Sequence, residues 1–453
     1  MTGALEIAER ALAAAQADEA EAVVHSERSG LARFAESRIH QPTLVDDVIV
    51  RLRLVRDGRV GSASTNRLDE DGLRALASRA AEAADSAPRD ELFPGLAPAA
   101  PVPEVESFDA ETAALAPEEL ARLARGALET SDGLALYGYL TTGVTELAVA
   151  STTGQRAGQR STDASMLVLA ADDGASGYAA ATSRRVRDLD PRAVAREAME
   201  KGRRTRGPRD FQPALVRAVL EPYAVAELLE YFSFDTFNAL AVLEERSYLS
   251  GRIGERFADE KVSIADDPLD ARGLPRAFDF EGTPARRVEL VEDGVARGPV
   301  WDRATAARAG DGTESTGHAL PPELRIFGAL PLALTLGPGD ATLDELGEAV
   351  GDGIWVTRLH YLGVVDPREG VVTGMTRDGT FRIREGRPAE PLPNLRFTVS
   401  VPEVLSDVPA LGRELALVNR SDFYGERMPS SALVPALATA RFNVTGVGGG
   451  PGL

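Results

Sequence analysis

One amphipathic segment, PYAVAELLEYFSFDTFNAL at positions 222–240, holds the residues of this chain most able to do chemistry. Four apolar residues follow the i, i+3, i+4, i+7 spacing of a helix and predict a stripe packed on a core: Val225, Leu228, Leu229 and Phe232. The roughly opposite face carries five residues, three of them aromatic: Tyr223, Glu227, Glu230, Phe234 and Phe237. A plain surface helix would carry mainly charges there, so we expect this second face to meet another domain, a cleft or a partner chain. Burial of the helix on both sides is the alternative.

A zinc site is not expected on this chain. The sequence has no cysteine and only four histidines, none of them in this segment, whereas a catalytic zinc ion needs about three strong protein ligands, usually including His or Cys. Glu230 and Asp235 are spaced i, i+5, which places them about 140° apart on a regular helix, so they meet on one metal only if the helix is bulged. Two carboxylates would favour Mg²⁺ or Ca²⁺ over zinc.

Five sequence blocks resemble one known family. They are VRLRLVRDGRVGSASTNRLDEDGL (50–73), GRIGERFADEKVSIADD (251–267), FDFEGTPARRVELVEDGVARGPVWDRATAARAG (278–310), ESTGH (314–318) and VVTGMTRDGTFRIREGRPAEPLPNLRF (371–397). Together they resemble the TldD/TldE (PmbA) family of metallopeptidases over most of the chain. The E-G-T-P-A-R-R element with its following hairpin is quite specific.

The resemblance implies where the family's zinc motif would fall. The catalytic TldD-type subunit carries His-Glu-x-x-x-His on a helix and a Cys near its C-terminus. Counted back from the G-x-x-G-E element at 251–255, the motif falls on 230–235: Glu230 and Asp235 replace the histidines, and Tyr231 replaces the glutamate that activates water. The Cys position falls near 421–424. The resemblance therefore implies a TldE/PmbA-like member with no metal or catalytic residue of its own, although the segment 353–381 is as similar to TldD-like relatives.

The function implied is that of a subunit in a TldD/TldE-type complex that cleaves unfolded or leader peptides. Zinc is then expected on a TldD-like partner subunit, and this chain is expected to be inactive alone. Strand addition is a plausible way to hold such peptides. Two alternatives remain: a self-sufficient peptidase with an atypical carboxylate metal site, and a non-enzymatic homodimeric peptide-binding protein.

The candidate contacts to a peptide or partner are Tyr223, Glu230, Phe234, His318 and His360. A lone histidine in a strand-like run such as RLHYLGVVDP, around His360, is more often packed than functional. Ser315 and His318 suggest a Ser/His pair, but no G-x-S-x-G turn is present to support serine hydrolysis.

The order of predicted helices and strands along the chain indicates an α+β fold in three parts. These are an N-terminal α+β domain (1–90), a β-rich middle domain (111–210), and a larger mixed C-terminal domain (213–453) with a barrel-like antiparallel sheet. The segment 87–110 holds five prolines and is typical of a linker. Hairpin turns are predicted at Asp57-Gly58, Asp293-Gly294, Asp378-Gly379 and Glu385-Gly386. No internal repeat of fixed period is apparent.

Composition narrows the classes of partner. The 453 residues carry a net charge of −20, which disfavours binding to nucleic acid. No apolar run is long enough to span a membrane, and the N-terminus predicts a helix rather than a signal peptide. These features favour a cytoplasmic protein that binds neither nucleic acid nor membranes.

Overall fold

The computed structural model describes residues 3–421 and 425–448. The N-terminal half consists of two consecutive units with a similar order of helices and strands. The first contains α1 (Ala4–Ala13), β1 (Glu19–Ala35), β2 (Arg38–Arg56), β3 (Arg59–Thr65) and α2 (Glu70–Ser86). The second contains α3 (Ala110–Ala113), α4 (Pro117–Leu128), β4 (Ala135–Ser151), β5 (Arg156–Asp172), β6 (Ala175–Ser183) and α5 (Pro191–Arg204).

The two units share one antiparallel sheet of six strands in the order β3-β2-β1-β4-β5-β6. The pairing of β1 with β4 joins them, so the predicted regions 1–90 and 111–210 contribute three strands each. Their boundary as domains stays a prediction. The long helices α2 and α5 each pack against an outer strand of this sheet, β3 and β6 respectively.

The two units follow a similar order of elements, with three antiparallel strands and then a long helix in each. The expectation of no sequence repeat of fixed period stays a prediction. The turn Asp173-Gly174 lies 116 residues after Asp57-Gly58, and Gly177 lies 116 residues after Gly61. A Cβ on Gly61 would lie 2.1 Å from a backbone nitrogen of α2, and one on Gly177 would lie 2.1 Å from a backbone nitrogen of α5. Each glycine therefore lets a helix lie directly on an outer strand.

The C-terminal region contains twelve further strands in the described residues. They are β7 (Ala214–Leu220), β8 (Ile264–Asp266), β9 (Val288–Glu292), β10 (Val295–Ala296), β11 (Ala333–Leu336), β12 (Gly353–Asp366), β13 (Val371–Arg384), β14 (Arg387–Pro391), β15 (Leu395–Ser400), β16 (Ala416–Asn419), β17 (Ser431–Val434) and β18 (Leu437–Val447). The helices are α6 (Pro222–Thr236), α7 (Ala239–Leu243), α8 (Arg303–Ala309), α9 (Leu343–Val350) and α10 (Val401–Ser406). Short 3₁₀ turns occur at Val186–Asp188 and Pro322–Phe327.

Five of these strands close into a barrel, in the order β12-β7-β18-β15-β13, with β13 returning to β12 and β14 extending the sheet. The predicted α+β fold with a barrel-like C-terminal sheet is confirmed. The barrel is mixed, because β12 pairs with β7 in parallel while its other pairings are antiparallel. A separate sheet has the order β10-β9-β8-β11-β17-β16.

Helix α6 packs against β12, and its predicted apolar stripe is confirmed. Val225, Leu228, Leu229 and Phe232 are each at most 3% exposed and belong to the large core of the C-terminal region. Pro222 occupies the first turn of α6. A proline is tolerated there because the backbone N–H groups of the first turn make no hydrogen bonds within the helix. Within the described residues, no helix combines the length and apolarity that crossing a bilayer requires.

Candidate functional site

The second face of α6 contacts other parts of this chain. The Tyr223 hydroxyl donates a hydrogen bond to the carbonyl oxygen of Ala180 (2.9 Å) and accepts one from its backbone nitrogen (3.1 Å). Its ring lies edge-on to Tyr178, with centroids 5.1 Å apart. Because Ala180 and Tyr178 belong to β6, Tyr223 connects α6 to the N-terminal sheet through hydrogen bonds and ring packing. Phe237, predicted on the same face, is fully buried.

Glu227, one turn further along α6, lies in a network of charged groups that the sequence did not single out. Its carboxylate accepts a hydrogen bond from the backbone nitrogen of Leu359 (2.6 Å). Burial raises the pKa of Glu227 to about 7, against the opposing effect of Arg358 and Arg420. Arg358 in turn binds Asp378 (2.7 Å). The only indication of this charged network in the sequence was the presence of a glutamate among the aromatic residues of this helix face.

Glu230 forms an ion pair with Arg420, which follows β16. Burial lowers the pKa of Arg420, and Glu227 opposes this effect. One turn beyond Glu230, the side chain of Phe234 is 39% exposed, and its ring lies 5.7 Å from that of Phe327. Glu230 and Phe234 both line the same cavity, as predicted for a helix face that meets a cleft.

This cavity, here called the α6 cavity, has a volume of about 560 Å³. Its charged lining consists of Arg51, Glu230, Glu323, Arg420 and Glu426. Its apolar lining consists of Phe234, Pro321, Leu324, Leu330, Pro331, Leu332, Leu334 and Met428, and Ser233, Gly425, Ser430 and Ser431 complete the wall. The wall thus combines α6, β2 of the N-terminal sheet and two segments of the C-terminal region.

The positions that correspond to the zinc motif do not come together as metal ligands. Asp235 forms an ion pair with Arg246, and Tyr231 packs against the core. Because α6 is a regular α-helix from 222 to 236, Glu230 and Asp235 point in different directions and each meets its own arginine. Among residues 3–421 and 425–448, no group of three His, Asp or Glu side chains is arranged to hold a metal ion.

The donors found at these positions do not fit a zinc ion, because guanidinium groups already bind both carboxylates. The position expected for the family's cysteine falls near 421–424, and residues 422–424 lie outside the described residues.

His318 is held inside the protein and does not line the α6 cavity. Its Nε2 lies 2.7 Å from Asp266 Oδ2, and its Nδ1 lies 2.9 Å from the carbonyl oxygen of Thr316. The Ser315 hydroxyl donates to the carbonyl oxygen of Trp301. The Ser315–His318 pair that would support serine hydrolysis is therefore not formed.

His360 lies on β12, next to the charged network and outside the α6 cavity. Partial burial, together with Arg358 and Arg377, lowers its pKa to about 4. Its ring packs beside Tyr361, with centroids 4.3 Å apart, and the Tyr361 side chain is 78% exposed. At neutral pH the His360 ring is consequently uncharged.

Comparison with known proteins settles the family. Residues 213–446, about half of the chain, match the family model described as the PmbA/TldA metallopeptidase C-terminal domain, and residues 20–84 match domain 1. The chain belongs to the PmbA/TldD family. This confirms the resemblance inferred from the sequence blocks.

Several curated relatives match a part of this family member. A metalloprotease of Methanothermobacter thermautotrophicus is 33% identical over 181 residues, which cover 39% of this chain and 38% of the relative. A zinc metalloprotease TldD homolog of Saccharolobus solfataricus is 25% identical over 205 residues, which cover 43% and 45%. The chain thus spans less than half the length of these relatives.

Solved structures show the same fold across nearly the whole length of this PmbA/TldD family member. TldE from Thermococcus kodakarensis has a TM-score of 0.85 at 21% identity, covering 95% of this chain and 97% of that one. A putative modulator of a DNA gyrase from Thermotoga maritima has a TM-score of 0.83 at 19% identity, covering 94% and 96%. At these identities the likeness concerns the fold alone.

Proposed function

We propose that this chain is the TldE-like, metal-free subunit of a TldD/TldE-type metallopeptidase complex that cleaves unfolded or leader peptides. A TldD-like partner supplies the zinc and the base that activates water. One observation carries the proposal: arginines bind both carboxylates at the zinc-motif positions of α6, and one of these carboxylates, Glu230, lines the α6 cavity.

The charge arrangement favours this function over a self-sufficient peptidase. A divalent cation beside Glu230 would have to displace the Arg420 guanidinium or tolerate its repulsion at close range. Asp235, bound to Arg246, is no better placed. Glu230 and Asp235 act here as partners of arginine, so both charges are compensated without a metal.

The α6 cavity is suited to an unfolded peptide. Its apolar side chains match the exposed apolar residues of an unfolded chain, and its few charged groups can orient the occupant. Strand β16 is the outer strand of its sheet and leads directly into Arg420 at the cavity. Backbone pairing with an outer strand would hold an extended peptide with little sequence preference.

The test combines this chain with a TldD-like chain from the same organism and an unstructured fluorogenic peptide. We expect cleavage by the mixture and none by either chain alone. Metal analysis of the purified chains, before and after a chelator, should find zinc with the TldD-like chain only.

Two results would contradict the proposal. Stoichiometric zinc and unaided cleavage by this chain would establish the self-sufficient peptidase. A stable homodimer on size-exclusion chromatography that binds peptide and ignores the TldD-like chain would establish the non-enzymatic alternative.

A further inference from the structure

We infer that the α6 cavity selects, among extended apolar peptides, those that carry a basic side chain. The inference rests on the proposed function, because it names the kind of peptide that this site takes.

The charges that line the cavity are unequal. Among the residues that the structure describes, three carboxylates and two guanidinium groups line it. Arg420 pairs with Glu230, which leaves Arg51 to bind two carboxylates. The Nε of Arg51 donates to both oxygens of Glu323 (2.8 and 2.9 Å), and its Nη2 pairs with Glu426. His25 lies 3.6 Å from Glu426, but burial lowers the pKa of His25 and favours its neutral form. Within the described residues, one guanidinium between two carboxylates therefore leaves one negative charge uncompensated at this end of the cavity.

Arg51 is largely enclosed by the protein. The residue is only 6% exposed, and its Nη1 is buried without a hydrogen-bond partner in the part of the chain that the structure describes. Its charge is therefore shared between Glu323 and Glu426. The occupant that suits an acidic cavity with an apolar wall is a peptide with a lysine or arginine.

The apolar wall fits the rest of such a side chain. Lysine and arginine bury their methylene stems on apolar surface and keep the charged head among polar groups. Phe234 and Leu324 line the cavity close to its charged residues. Glu323 is half exposed and is followed directly by Leu324, so an acidic and an apolar residue adjoin in the lining. The net charge of −20 further attracts a cationic peptide.

The experiment uses three fluorescein-labelled peptides that are identical except for a central Lys, Gln or Glu between leucines. Binding is measured by fluorescence anisotropy with the full chain, alone and mixed with the TldD-like chain. We expect the Lys peptide to bind about fivefold more tightly than the Gln peptide, as for one partly exposed ion pair, with the Glu peptide weakest. Added salt should narrow the difference.

Two variants test whether the preference for the Lys peptide arises from Glu323. Glu323→Gln removes the uncompensated charge and should abolish the preference for Lys. Glu260→Gln removes the same charge from an exposed position outside the cavity lining and should keep it. Equal binding of the three peptides, or equal loss of preference in both variants, would overturn the inference and leave the proposed function in place. No binding of any peptide, with or without the TldD-like chain, would remove the proposed function as well.

Discussion

At the scale of single residues, two glutamates one turn apart on α6 have different surroundings. Glu230 faces the cavity and pairs with Arg420. Glu227 is turned towards the backbone of β12, where burial raises its pKa to about 7. Since the raised pKa favours the protonated acid, the stabilisation from Glu227 is complete below the unfolded pKa of about 4.5 and is lost as the pH rises through about 7.

Replacement of Glu227 by Gln should therefore change the pH dependence of stability. The amide stays neutral and its oxygen can still accept the hydrogen bond from Leu359. We expect the difference in unfolding free energy, variant minus wild type, to increase between pH 4.5 and pH 8 by on the order of 3 kcal/mol. Urea unfolding at a series of pH values measures it, and a difference that does not vary with pH would contradict the assignment.

At the scale of elements, strand β4 closely approaches the segment that contains Arg427. A Cβ on Gly143 of β4 would lie 2.2 Å from the Nε of Arg427. That guanidinium donates two hydrogen bonds to Asp163, which hold it in place beside Gly143. The absence of a side chain at Gly143 is thus what allows this segment of the C-terminal region to reach the N-terminal sheet.

Gly143→Ala should consequently destabilise the protein by about 1–3 kcal/mol, as overpacking does. Gly158→Ala is the matched control in neighbouring β5, because its Cβ would meet nothing nearer than a carbon of Leu5 at 3.8 Å. Gly158→Ala is expected to be neutral or stabilising by up to about 1 kcal/mol. Equal urea midpoints for the two variants would show that the contact is not restrictive.

At the scale of the whole molecule, buried ion pairs join the N-terminal sheet to the C-terminal region. Arg427 binds Asp163 through two hydrogen bonds (2.8 and 2.5 Å), and both side chains are at most 2% exposed. Arg53 of β2 binds Glu21 and also Glu281 of the E-G-T-P-A-R-R element. The side chain of Gln155 donates to the carbonyl oxygen of the next residue of that element, Gly282. The E-G-T-P-A-R-R element therefore joins the N-terminal sheet to the C-terminal region.

Breaking the Arg427–Asp163 pair should be far more harmful than replacing it. Asp163→Ala leaves a buried guanidinium without its carboxylate and should destabilise by about 3–5 kcal/mol. The double variant Asp163→Leu, Arg427→Met removes both charges and should recover much of that loss. Urea unfolding compares the two, with the exposed pair Arg122–Glu119 as a control whose removal should have no measurable effect. A double variant as unstable as Asp163→Ala would contradict this account.

The sequence allowed prediction of the features that depend on local spacing. The apolar stripe of α6 and the family blocks are visible in consecutive residues, because helical period and motif order need no information about distant partners. The hairpin turn at Asp57-Gly58 is local in the same way. The similar order of elements in the two N-terminal units was not predicted, because it depends on strand pairing that local spacing does not reveal.

The contacts of the candidate site depend on the tertiary structure, because its charged groups meet across long stretches of chain. Nothing near Glu230 in the sequence indicates Arg420, and nothing near Arg51 indicates Glu323 or Glu426. The residue types were enough to argue against a zinc site, since that requires only the chemistry of the side chains present. Which carboxylate is neutralised, which is buried and which stays exposed follows from packing between elements that only the folded chain brings together.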